Sequence, residues 1–160
     1  MPSLAEGPRN TSSGALEFSP ADLGLSGVNL KTVTTYTGNL IDLSAFRGFQ
    51  VVVISTEVGT SLVGALNCQI DLFAADGTTA ISPTLLIRGW TLPLTAGTHF
   101  MTLTWANGVA LTTVTSAGTG TGTEQTPAIG PVGKCKIKIQ VTTASDATTA
   151  VGSVYLRAIA

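Results

Sequence analysis

Apolar and polar residues alternate along much of this chain with the period of two that belongs to β-strands. In "LNCQIDLF", Leu66, Cys68, Ile70 and Leu72 fall on one face and Asn67, Gln69 and Asp71 on the other, which predicts a strand with one packed side and one wet side. "GKCKIKIQVTT" repeats the pattern, with Cys135, Ile137, Ile139 and Val141 inward and Lys134, Lys136, Lys138 and Gln140 outward. One stretch breaks the alternation. In "SAFRGFQVVVIS" the run Val51, Val52, Val53, Ile54 is too short to cross a bilayer and too β-branched to favour a helix. It predicts a strand buried on both faces, entered through a Phe46-Arg47-Gly48 corner.

Turn chemistry sets the expected pairings. Asp76-Gly77 closes a hairpin in which Leu72 faces Ile81, keeping the apolar set on one side. Asn107-Gly108 suits a type I′ turn, whose two central residues need positive φ. That turn pairs Trp105 with Ala110, Leu103 with Thr112 and Met101 with Val114, and leaves His99 on the Trp105 face near its end. Gly38-Asn39 reads as a further turn, and "GSVYLRAIA" as the last strand. About eight or nine strands at this spacing, with no convincing helical stretch or long internal repeat, predict an all-β chain. The expected architecture is a single antiparallel β-sandwich, jelly-roll-like, over residues 15–160, preceded by a flexible N-terminal arm over 1–14. Residues 116–131, "SAGTGTGTEQTPAIGP", carry no strand signal and read as a long functional or mobile loop.

Composition narrows the partners. The 160 residues fit one domain, and with 44% hydrophobic and 11% charged residues the surface is poor in charge. A net charge of -1 provides no long-range field for nucleic acid or anionic lipid, so neither is an expected partner. "MPSLAEGPRNTSSG" has neither the basic start nor the apolar stretch of a secretory signal, which predicts synthesis in a cytoplasm. Cys68 and Cys135 stand alone, without a Cys-x-x-Cys, and His99 is the sole imidazole, so no metal site is expected. Both thiols are expected in the core and reduced, although strand positions alone leave open whether they lie close enough to bridge.

Candidate chemistry is sparse. Gly118, Gly120 and Gly122 lack the following Gly-Lys-Ser/Thr of a phosphate cradle and read as a flexible loop. No Gly-x-Ser-x-Gly occurs, and no acid stands beside His99 in sequence, so a structural histidine is expected. Acidic residues are scattered singly, and Trp90 and Trp105 read as packing residues before a sugar platform. "NTS" at Asn10 is a glycosylation acceptor only in a secreted protein. The chain is therefore expected to be no enzyme and to need no cofactor. The Lys134, Lys136, Lys138 stripe has two readings: a solvated or edge-protecting face, or an electrostatic latch onto an acidic partner.

Two segments carry a family resemblance. "GNLIDLSAFRGFQVVVIS" and the terminal "KCKIKIQVTTASDATTAVGSVYLRAIA" resemble the small jelly-roll head decoration, or cement, proteins of tailed phages. The positions concerned are Asp42, Leu43, Phe46 and Gly48 in the corner and Tyr155, Arg157 and Ala158 at the end, within a similarity covering most of 38–160. The resemblance implies a structural virion protein, typically a homotrimer, on the outer surface of the capsid and bound to the major capsid protein. A tail, fibre or spike module contacting a receptor or glycan is the alternative. Under the decoration reading, residues 1 to about 25 dock on the shell through Leu4, Leu16 and Phe18, by strand addition to a sheet edge, with Lys134, Lys136 and Lys138 as further candidate capsid contacts. Outward-phase Phe73, Tyr155 and Ile159 would be covered between subunits.

Overall fold

The computed structural model describes residues 9–10, 16–59, 63–81, 84–92, 96–106, 109–110, 115–116 and 133–159. Its strands are β1 (Arg9–Asn10), β2 (Leu16–Phe18), β3 (Val28–Asn29), β4 (Thr35–Asp42), β5 (Gly48–Val58), β6 (Ala65–Phe73), β7 (Leu85–Thr91), β8 (Gly97–Ala106), β9 (Val109–Ala110), β10 (Thr115–Ser116), β11 (Lys134–Thr143) and β12 (Thr149–Ile159). A four-residue helix α1 (Pro20–Leu23) lies between β2 and β3. One sheet runs β1-β2-β12-β5-β8-β10, with β3 beside β12 and β9 beside β8; the other runs β4-β11-β6-β7. Leaving aside the two-residue strands and renumbering the rest along the chain, the sheets read 1-8-3-6 and 2-7-4-5. That interleaving is the jelly roll, in which all but one connection crosses between the sheets.

The core follows the alternation read from the sequence. Val51, Val53, Met101, Leu103, Val154 and Leu156 of the first sheet meet Leu66, Ile70, Ile137 and Ile139 of the second, none more than 2% exposed. Cys68 and Cys135 join them, and burial pushes each thiol up to about 12. The β11–β6 register pairs Cys68 with Ile139 and Cys135 with Leu72. Four residues at roughly 3.3 Å each put the two cysteines about 13 Å apart along the ladder, too far to bridge.

The corner ahead of β5 carries the chain from one sheet to the other. Ser44 donates its backbone N–H to Asp42 Oδ1 at 2.9 Å, and hydrogen bonds from Ser44 hold that carboxyl below the usual carboxylate range. Arg47 N–H donates to the Ile159 carbonyl at 3.0 Å, tying the corner to the final strand, and Phe49 is 2% exposed beyond it. The following run is buried on one face rather than two. Val51 and Val53 point inward while Val52 and Ile54 stand half-buried on the outer face, because one sheet backs β5 and nothing described lies on its other side.

Other expectations need correction. Gly38-Asn39 is no turn but lies inside β4, where the register with β11 shifts between Lys136 and Lys138. A Cβ on Gly38 would sit 2.8 Å from the Ile137 carbonyl and 2.9 Å from that of Leu23, so the glycine admits α1 close against the sheet. The short helix α1 departs from the expectation of no helical stretch, and local signals account for it: Ser19 and Asp22 form a capping box, Pro20 opens the first turn and Gly24 closes it in the left-handed region at φ 66. Ile81 N–H does reach the Leu72 carbonyl at 3.0 Å, yet Ile81 is 63% exposed because the hairpin end overhangs the core. Trp105 pairs with Ala110 as expected, but Met101 faces Thr115 instead of Val114, a one-residue shift. Asn107-Gly108 and Thr112 lie outside the described residues.

Candidate interaction surfaces

The outer face of the second sheet carries the lysine stripe, and each lysine there has a partner in the chain. Lys138 Nζ lies 3.1 Å from Asp71 Oδ2 and donates to Thr84 Oγ1 at 3.2 Å. Lys136 sits over the Phe73 ring at 5.2 Å, so its stem shelters an outward aromatic while its charge meets the ring face. Lys134 donates to the Ala75 carbonyl at 2.6 Å. Beside them Gln140 Oε1 accepts from Gln69 at 2.9 Å and from Asn67 at 3.3 Å. Apart from Leu40, 39% exposed beside Lys136, and Phe73 under the Lys136 side chain, the named side chains of this face are polar and satisfy one another, the arrangement of a mostly solvated sheet surface.

The outer face of the first sheet has the opposite character. Register places Ser153, Ile54 and Phe100 in one cross-strand row and Tyr155, Val52 and Thr102 in the next, on adjacent strands β12, β5 and β8. Phe100 is 42%, Val151 44%, Ile159 41% and Val58 55% exposed along the same face. Val52, Ile54 and Tyr155 line an open groove of about 240 Å³ together with Gln50, Glu17 and Arg157. Its polar end is a cross-strand ion pair, Arg157 Nη2 to Glu17 Oε2 at 3.0 Å, and Gln50 donates to Thr104 Oγ1 at 3.3 Å. Phe73, Tyr155 and Ile159 do stand in the outward phase, but they divide between the two faces.

Sequence reasoning missed a buried polar cluster at one end of the core. Ser55 pairs with His99 across β5 and β8, Glu57 lies two residues further along β5, and Ser145 comes from the β11–β12 connection. All four are nearly sealed, with exposures of 0% for Ser55, 1% for Glu57, 5% for His99 and 4% for Ser145. The Ser145 hydroxyl donates to Glu57 Oε1 at 2.8 Å and accepts from Ala147 N–H at 3.2 Å. Burial raises the Glu57 carboxyl above the usual carboxylate range, against the opposing pull of the Ser145 hydrogen bond and of nearby His99. The signal was present in the phase of "VVVISTEV", where Ser55 and Glu57 continue the inward positions of Val51 and Val53. Serine, histidine and acid thus converge in the interior, where the Ser145–Glu57 hydrogen bond ties the β11–β12 connection to β5.

Trp90 is 2% exposed, which makes it a packing residue with no face for a sugar. The arm expectation divides. Phe18 is 5% exposed and pairs with Leu156, Leu16 packs against the core opposite Ala158, and Leu23 and Leu25 are each 1% exposed. Residues 16–25 therefore belong to the sandwich, since removing Phe18 from the core to reach a partner would open the sheet at β12. Leu4, Gly118, Gly120, Gly122 and all of the expected loop beyond Ser116 lie outside the described residues, as does the side chain of Trp105. Among the described residues no three His, Cys, Asp or Glu side chains gather where a metal could bind, and no helix is long and apolar enough to cross a membrane.

No family model matches the chain, and no curated protein does. Among solved structures, similarity is found to a chain of infectious bursal disease virus strain Gx, at 13% identity and a TM-score of 0.44, covering 96% of this chain and 32% of that one. The CBM2 module of the evolved Dit of Lactobacillus casei BL23 phage J-1 is similar at 11% identity and a TM-score of 0.47, covering 94% and 79%. The Gt strain of the bursal disease virus gives 16% identity and a TM-score of 0.33, covering 95% and 30%. This chain thus spans about a third of the length of the bursal disease virus chains it matches. Similarities of this depth assign neither a family nor an activity; the functional reading rests on the chain's own surfaces.

Proposed function

We propose that this chain is a structural virion protein, and specifically a decoration protein that binds the assembled phage head as a homotrimer and stabilises it. The observation that carries the reading is the contrast between a largely polar outer face whose lysines and amides find partners within the chain and one whose middle is an open apolar groove, on the same jelly roll, the form of a subunit made to be covered. The resemblance to head decoration proteins adds to it. Its two segments are one physical unit, because the corner bearing Asp42, Phe46 and Gly48 pairs with the strand bearing Tyr155 and Arg157. Attachment to the major capsid protein is assigned to the chain upstream of Leu16, with Leu4 as its apolar anchor. We leave Leu16 and Phe18 out of this contact because Phe18 is buried and Leu16 packs on the core, and the three lysines would join it by exchanging the partners they already hold.

The test is co-sedimentation of the purified protein with emptied heads of the phage that encodes it, followed by a thermal scan of the decorated and bare heads. Saturable binding and a raised head-disruption temperature are expected. Deleting residues 2–14 should leave the protein's own assembly intact and weaken head binding by about 2–5 kcal/mol, the scale of coupled folding and binding. Electron microscopy of labelled virions that finds the protein on tails, with no binding to heads, replaces this reading by that of a tail, fibre or spike module.

A further inference from the structure

We infer that the outer face of the first sheet, centred on Val52, Ile54, Phe100 and Tyr155, is the surface by which copies of this chain bind one another. The face is continuous, because register sets Ile54 beside Phe100 and Val52 beside Tyr155 with no charged residue between them. Nine residues of β5, Gln50–Val58, across three strands give a footprint of roughly 14 by 27 Å, or about 400 Å² per copy, from ordinary strand rise and spacing. Val52, Ile54, Phe100 and Tyr155 form its apolar middle, flanked by the outward Gln50, Thr56, Thr98, Thr102, Thr104 and Ser153. The whole is about half of the ~800 Å² per partner of a standard interface, so the neighbouring parts of the face supply the rest.

Charge points to a second copy as the occupant. The ion pair at the groove, Glu17 with Arg157, offers both signs side by side, with side-chain exposures of 40% and 52%. An identical face can meet that pair by placing its own arginine against the glutamate, whereas a strongly acidic or basic partner would leave one member opposed by like charge. A net charge of -1 on 160 residues puts no long-range repulsion between copies. Three such faces arranged about an axis would bring their Ile54, Phe100 and Tyr155 together. The inference does not rest on the capsid reading, since the face needs covering wherever the chain resides.

Sedimentation velocity on the free, full-length protein at micromolar concentration tests it, with Ile54→Glu, Phe100→Glu and, as a control on the opposite face, Thr37→Glu. The wild type and Thr37→Glu are expected to be oligomers. Each glutamate on the apolar face should weaken association by about 100-fold or more, with the circular dichroism spectrum unchanged. If Ile54→Glu fails to fold, the more exposed Phe100→Glu decides. A monomeric wild type overturns the inference, and if Phe100→Glu then abolishes head binding, the face belongs to the shell protein instead. Charged variants that assemble like the wild type overturn it as well.

Discussion

The two outer faces of this sandwich are built by the same pleat and differ in what their outward side chains do. On the lysine face, Lys138 finds Asp71, Lys136 covers Phe73 and Gln140 binds two neighbouring amides, so the chain completes its own surface. On the opposite face Val52, Ile54 and Phe100 have no such cover among the described residues, and the ion pair of Glu17 and Arg157 stands at the edge of an open groove lined by Val52, Ile54 and Tyr155. Outward along a strand therefore means away from this domain's core, and solvent is only one of the things that can lie there. A solvated face is recognised by polar groups that satisfy one another; an apolar face of comparable extent is an unfinished interface.

The sharpest way to break the comparison uses neighbouring residues of β5. Val53→Asp places a charge in the core, where Val53 is 1% exposed, and should abolish folding, read as loss of the β-sheet circular dichroism signal. Val52→Asp, one residue away on the outer face, should keep that signal and lose self-association. Equal effects from the two substitutions would mean that the outer face is structural core after all.

The inner side of the apolar sheet yields a smaller effect with a definite pH sign. Ser145→Ala removes the donor to Glu57 Oε1 and should cost about 1–3 kcal/mol in urea unfolding, the usual penalty for a buried acceptor left without a partner. Because burial raises the Glu57 pKa, the folded protein holds that proton more tightly than the unfolded chain does. Its contribution is complete below the ordinary glutamate value of 4.5 and is lost as pH rises through the raised folded value. Glu57→Gln should flatten this decline in a pH series of unfolding midpoints; an unchanged slope would show that another group carries it.

On the lysine face the expected effect is smallest. The Lys138–Asp71 pair keeps 18% exposure on each side chain, and a double-mutant cycle to alanine should give a coupling of about 0.5–1 kcal/mol that shrinks in salt. A coupling several times larger would make this face a rigid built site rather than a solvated one.

Sequence alone determined the inward set of β6 and β11 and the turn register at Asp76-Gly77, because a period of two and a local turn are properties of a few consecutive residues, whereas it passed over β7 and split β4 at Gly38-Asn39. The signature of α1 in "SPADLG" and the inward phase of Ser55 and Glu57 were also present in local rules, though the sequence reading passed over both. What only the tertiary structure decided is how distant segments meet. Phase places Glu57 inside, but the β5–β8 register is needed to bring it near His99, and the return of the β11–β12 connection to bring Ser145. The run Val51–Ile54 could be buried on two sides or one, and the choice fell to how many layers the fold stacks on β5. Leu16 and Phe18 fall within the span expected to be sandwich and also among the apolar residues expected to anchor on a partner; their pairing with β12 puts them in the sheet, since a strand of three residues gains its stability from the sheet it joins and not from its own sequence.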